Sequence, residues 1–290
     1  MEDGLQRWTV GDVGITGICE EQTDHIPPEL FFPEATAEAV ATHEWLVPDH
    51  ADEHGNVSLR IQAFVVEVGN RTVVVDPCVG NGRQRMLPFW TDGAWPWMER
   101  FEGAGFGVGA VDHVVHTHLH ADHVGWGTRR DEDADTWVPT FGRARYLYTE
   151  RALAFARDPG NFEPNVWLDS VAPVLDAGLG EVVEEDADLG HGLRLESTTG
   201  HTPGHVSLWI ESAGEVAMIS GDWLHHPVQL AEPSWSEVGD SDAEQARETR
   251  ARMLAQLGAS GALLLGTHFG APSGGRVVPD DGGRYRLAPV

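Results

Sequence analysis

A chain of 290 residues that is 41% hydrophobic is long enough to bury one large core or two similar halves, and 46 acidic against 19 basic residues give it a formal charge of −27. That balance opposes partners with phosphate backbones, no basic cluster offsets it, and the acidity reads as a solvated surface. Every basic residue is arginine, which excludes lysine Schiff-base chemistry and Walker-type phosphate loops, and two cysteines, Cys19 and Cys78, are too few for a disulfide framework or a cysteine zinc site.

The start MEDGLQRW carries no signal region, and no apolar run approaches the ~18 to 20 residues a bilayer requires, so the expectation is a cytoplasmic protein without a membrane partner. A strand is expected over Trp8–Ile18, a short helix over Glu34–Trp45, and then the polar loop PDHADEHGN. Residues 1–58 therefore read as an N-terminal extension packing on a domain of residues 59–290. Leu59–Val68 and Thr72–Val75 form a hairpin about Gly69-Asn70 and end at Asp76-Pro77. The stretch PFWTDGAWPWMERF passes from loop into helix, and Val111–Val115 is a short buried strand. Further strands are expected at Ala144–Tyr148, Leu193–Ser197, Val206–Ile210, Val216–Ser220 and Ala262–Leu265. Helices are expected at Glu150–Arg157 and Asp242–Leu257, the latter opened by a Ser241/Glu244 capping box and stopped by Gly258.

The residues of chemical interest fall just after strands, where layered α/β folds build their sites. Within six residues, His118, His120, Asp122 and His123 supply four potential metal ligands. His118 and His120, two apart in an extended turn, can share one metal, while Asp122 and His123 emerge past the bend and can face another. His201 lies in a tight turn, Thr199-Gly200-His201-Thr202-Pro203-Gly204-His205. Asp222 and His268 each follow an apolar strand, in Ser220-Gly221-Asp222 and Gly266-Thr267-His268.

These residues resemble the metallo-β-lactamase superfamily, in its lactonase and methyl parathion hydrolase-like branch, through TVVVDPCVGNG, HTHLHADHVGW, TTGHTPGHVSL, ISGDWLHH and LLGTHF in that order. The resemblance implies an α/β fold of four layers, the αββα sandwich, with two divalent cations. His118, His120 and His201 are then expected on the first cation, Asp122, His123 and His268 on the second, and Asp222 between them. Asp76 is expected outside the ligand set, as an acceptor orienting a histidine. Zinc suits the imidazoles best, with iron, manganese or cobalt also accepted.

The reaction expected from such a site is hydrolysis of a lactone or other ester-like bond. Two cations about 3.5 to 4 Å apart make hydroxide from a shared water, and Asp122 accepts or relays a proton. Where some lactonases of the superfamily place tyrosine three residues beyond the bridging aspartate, this chain has His225, a candidate donor to substrate or leaving group. Trp90, Trp95, Trp97 and Trp126 read either as core or as the wall of a pocket for an apolar substrate body. Phosphotriesterase, thioesterase and β-lactamase activities are the alternatives in the same site, and an inactive metal-binding sensor or scaffold is the alternative of another class. The expected partner is a small molecule, not nucleic acid, with a homodimer as one expected assembly.

Overall fold

Alternating and continuous apolar runs build two seven-stranded sheets in the computed structural model, which describes residues 4–131, 133–158, 160, 163–280 and 282–290. The first three residues of the N-terminal segment thus lie outside the described residues. The chain divides into two compact units, Met1–Glu21 with Ile61–Ala187 and Gln22–Arg60 with Asp188–Val290. The N-terminal segment is shared between them.

In unit 1 the strands in chain order are β1 (Leu5–Val10), β2 (Val13–Ile26), β3 (Val57–Val68), β4 (Arg71–Val75), β5 (His113–Val115), β6 (Thr128–Asp131), β7 (Thr136–Pro139), β8 (Arg145–Thr149) and β9 (Gly180–Val183), with β2 and β3 running on across the boundary between units. The main sheet has the order β1-β2-β3-β4-β5-β8-β9, and β6 pairs with β7 separately. The single strand expected over Trp8–Ile18 is instead a hairpin. Gly11 adopts φ 57°, and with Asp12 it closes a two-residue turn between Val10 and Val13. From β4 onward the pairings are parallel, so Asp76, the segment from His116 and Thr149 all leave the carboxyl ends of parallel strands.

Unit 2 contains β10 (Asp188–Gly190), β11 (Leu193–Ser197), β12 (Val206–Ser212), β13 (Glu215–Ile219), β14 (Leu263–Leu265), β15 (Gly274–Pro279) and β16 (Tyr285–Ala288), paired in sequence order. Among the described residues of unit 2 only β13 and β14 pair in parallel, and the helix Ala243–Ser260 makes their crossover. Its Met253, Leu254 and Leu257 are buried with Trp209, Met218 and Leu264. The N-cap is Asp242, which accepts from the Gln245 amide, rather than Ser241. The helix also runs through Gly258 to stop at Gly261, whose φ is 65°. A side chain at Gly258 would strike Tyr285 at 2.6 Å, so that glycine makes room for packing rather than ending the helix.

Instead of one helix over Glu34–Trp45, the chain forms Ala37–Ala41, capped by Thr36, and then a 3-10 turn at Glu44–Leu46. The Thr42 hydroxyl donates back to the Ala39 carbonyl, the kind of local bond by which threonine competes with helix propagation. Among the described residues, no helix is long and apolar enough to cross a membrane.

Candidate metal centre

In unit 1, β5 delivers the chain into Thr117, which is locked by Asp76 at the end of the neighbouring β4. Asp76 Oδ1 accepts from the Thr117 amide at 2.8 Å, and Oδ2 accepts from the Thr117 hydroxyl at 2.6 Å. Having given its one proton to a carboxylate, that hydroxyl can only accept from His118 Nδ1, 3.1 Å away. His118 therefore carries its proton on Nδ1 and presents a lone pair at Nε2. The same Asp76 Oδ2 lies 3.0 Å from His123 Nδ1, and His123 Nε2 lies 3.6 Å from Asp122 Oδ2. The His118 ring centroid is 4.6 Å from that of His120 and 4.1 Å from that of His123. His118 and His123 are buried, while His120 and Asp122 are half-buried.

The loop after Asp76 abuts Gly125 directly. Cys78 and Pro77 carbonyls accept from the amides of Gly125 and Trp126, and a Cβ on Gly125 would lie 1.7 Å from the Val79 carbonyl oxygen. Only glycine fits there. Below this loop Glu20 accepts from the amides of Val79 and Gly80 and from the Trp126 indole, and burial pushes its carboxyl up to about 7.

In unit 2, the turn between β11 and β12 carries His201, the end of β13 carries Asp222 and the segment after β14 carries His268. His201 Nδ1 is 3.0 Å from Asp240 Oδ1, and His268 Nδ1 is 2.9 Å from the Arg60 carbonyl oxygen. Both rings thus donate through Nδ1 and hold Nε2 as a lone pair. Asp240 is faced in turn by Arg250 of the crossover helix, NH2 to Oδ2 3.8 Å, and accepts from the Glu237 amide. Gly200, at φ 131°, lets the turn press on that helix, since a Cβ there would come within 2.3 Å of the Ala246 amide nitrogen.

His205 holds Asp222 by its backbone. The Asp222 amide donates to His205 Nε2 at 2.8 Å, so His205 donates from Nδ1 to the Thr198 hydroxyl, also 2.8 Å away. Because Ser207 donates to the Ser220 carbonyl, it must accept from Thr198. Every member of this buried chain has one consistent direction.

Around Asp222 Oδ2 stand His268 Nε2 at 3.1 Å, His225 Nε2 at 3.2 Å and His201 Nε2 at 3.6 Å. Lone pairs of His201 and His268 facing a carboxylate oxygen repel it unless a cation lies between them. With metal–nitrogen bonds of about 2.0–2.1 Å, neighbouring ligands of a tetrahedral ion sit about 3.3 Å apart, so the three separations match the edges of such a shell. The donor set fits a divalent ion. His225 also stacks on His268, ring centroids 5.5 Å apart and planes 3° from parallel. His201, His225 and Glu237 form a group whose ligand atoms all lie within 4.8 Å of one another, and burial pushes the Glu237 carboxyl up.

Of the tryptophans, Trp97 and Trp126 are buried in the core of unit 1. Trp97 is wholly buried, stacked 5.3 Å from Phe101 and 5.5 Å from Trp126, with its indole donating to the Ile18 carbonyl. Trp90 and Trp95 remain partly exposed. The sequence pointed to neither Asp240 nor Glu237, which sit in a polar loop without pattern. His205 had a signal that went unused, as the second histidine of the turn directly before a strand.

A model of the metallo-beta-lactamase superfamily matches residues 59–268, and the chain belongs to that superfamily. Its mixed α/β fold is the fold of solved members. A hydrolase of the beta lactamase superfamily, AbOPH, superposes with a TM-score of 0.83 at 25% identity, over 100% of this chain and 98% of its own. AidC, a dizinc quorum-quenching lactonase solved with its N-acyl homoserine product, gives 0.77 at 18% identity over 99% and 97%. A probable metal-dependent hydrolase from Staphylococcus aureus gives 0.76 at 18% over 98% and 99%. No curated protein sequence matches the chain.

Proposed function

We propose that the chain is a metal-dependent hydrolase that cleaves a lactone or other ester-like bond of a small molecule. In this reading, which carries over the family resemblance of the motifs, His118, His120, His201 and Asp222 are ligands of one divalent cation, Asp122, His123 and His268 are ligands of a second, and Asp222 serves both. Zinc is the proposed metal because imidazole dominates the set. When bound, such ions supply Lewis-acid polarisation of the bond under attack and a lowered pKa for water.

The observation that carries this reading is the tautomer pattern. Partners on the far side of His118, His201 and His268 (Thr117, Asp240 and the Arg60 carbonyl) hold the proton on Nδ1. Three buried histidines that share this pattern are what ligation of cations through Nε2 predicts. Asp122, half-buried and 3.6 Å from His123 Nε2, is the carboxylate placed to take or pass on a proton. The neighbouring lactonase supports the ester-like substrate class.

The test is a panel of lactone, ester, thioester, phosphotriester and β-lactam substrates, run on zinc-replete and chelator-treated protein. Turnover of a lactone or ester that disappears with the metal is the expected result. If the metal-loaded protein turns over none of the five, a binding protein without hydrolase activity replaces the enzyme.

A further inference from the structure

We propose that His225 and Glu237 complete, with His201 and Asp222, a divalent-cation position that lies wholly within unit 2. This rests on the metal-dependent reading above and adds two ligands to it. His225 stands where the lactonase pattern places a tyrosine, yet its Nε2 is 3.2 Å from Asp222 Oδ2 and 3.9 Å from Glu237 Oε2, with the His201 ring centroid 4.8 Å away. The first distance is a ligand-to-ligand edge of a tetrahedral ion, and the second is within reach of a small movement of a glutamate side chain.

Charge points the same way. Asp222, Glu237 and Asp240 are three carboxylates with side chains at most 8% exposed, and Arg250 is the buried guanidinium that faces Asp240. Buried carboxylates in excess of their cations are costly unless a positive ion joins them. Asp240 is already engaged by His201 Nδ1, the Glu237 amide and Arg250. Glu237 Oε2 accepts the Gly239 amide at 2.5 Å, and one amide leaves a carboxylate most of its capacity to bind a cation. The His225 backbone amide donates to Gln229 Oε1 at 2.8 Å, which fixes the main chain at this position. Two imidazoles and two carboxylates make an N2O2 set suited to zinc or cobalt(II).

The experiment is titration of the full-length protein with Zn²⁺ and Co²⁺ against a competing chelator. In a His118→Ala/His120→Ala/Asp122→Ala/His123→Ala variant, which lacks the unit 1 ligands of both cations, one equivalent of cation is expected to remain. Adding His225→Gln and Glu237→Gln is expected to weaken that equivalent on the order of 10–100-fold, with circular dichroism unchanged. As a check on the unmutated background, His225→Gln alone should alter the visible absorption of the Co²⁺-loaded protein. A folded variant lacking those four unit 1 ligands that releases all of its cation overturns the proposal, as does unchanged affinity on removing His225 and Glu237. In both cases a wild-type protein that still binds cations leaves the hydrolase reading standing. A wild-type protein that binds no cation overturns both.

Discussion

His205 accepts the backbone amide of Asp222 at 2.8 Å through its Nε2 atom, and the hydroxyls of Thr198 and Ser207 relay that choice of tautomer to the Ser220 carbonyl. His205→Phe keeps an aromatic ring but strands the Asp222 amide, while the Thr198 hydroxyl keeps its bond to Ser207. A stranded buried group costs about 1–3 kcal/mol, so urea unfolding should show a loss in that range, and His205→Gln should recover part of it. Cation affinity should fall with the phenylalanine variant, because Asp222 is no longer held from behind.

Asp240 orients His201. Asp240→Asn keeps the shape but replaces a carboxylate acceptor with an amide and leaves Arg250 without its facing charge. Cation affinity should drop roughly 10- to 100-fold, read by chelator competition, with a smaller effect from Arg250→Lys. Equal affinity in Asp240→Asn and wild type would remove Asp240 from the ligand support.

Trp97 separates core from pocket. With its ring stacked between Phe101 and Trp126, Trp97→Ala should cost about 3–5 kcal/mol in unfolding free energy. Trp95→Ala, at a partly exposed position, should cost far less. If Trp97→Ala instead leaves stability intact and raises KM selectively for long apolar substrates, the core assignment fails.

Stability should fall on mild acidification. Burial holds His50 down to about 4 and His226 down to about 3, against 6.5 in an unfolded chain. Below pH 6.5 the unfolded state takes up protons that the folded state refuses, so each histidine withdraws about 2 kcal/mol by pH 5. Glu20 works in the opposite direction, since a carboxyl raised from 4.5 to about 7 costs stability as pH rises between those values. His116, also held down to about 4 by burial, makes three histidines against Glu20 and Glu237, the two deeply buried carboxyls that burial raises, and the net trend is that of the histidines. Denaturant midpoints at pH 7 and pH 5 should show it, and a flat profile would contradict the buried neutral state of His50 and His226.

The strands that carry donor residues were legible because they are short apolar runs that end abruptly in polar side chains, as at Val75-Asp76 and Ile219-Ser220-Gly221-Asp222. What stayed hidden has physical causes. The strands β6, β7, β9, β10, β15 and β16 mix charged, glycine, proline and apolar residues at or beside the sheet edges, so their pattern has no clean period. The helical run at residues 164–176 contains a π-helical turn at Trp167–Val171, which breaks the 3.6-residue spacing. Asp240 and Glu237 reach His201 across nearly forty positions, a proximity that local composition does not encode.

The chain passes from one unit to the other at Glu21, Arg60 and Ala187, so neither unit is a continuous stretch of polypeptide. During synthesis, Gln22–Arg60 leaves the ribosome well before the strands from Asp188 onward that it must join. Unit 1, by contrast, has all of its residues once Ala187 emerges. Synthesis therefore completes unit 1 before unit 2, and an early segment waits for the last third of translation before all of its unit exists.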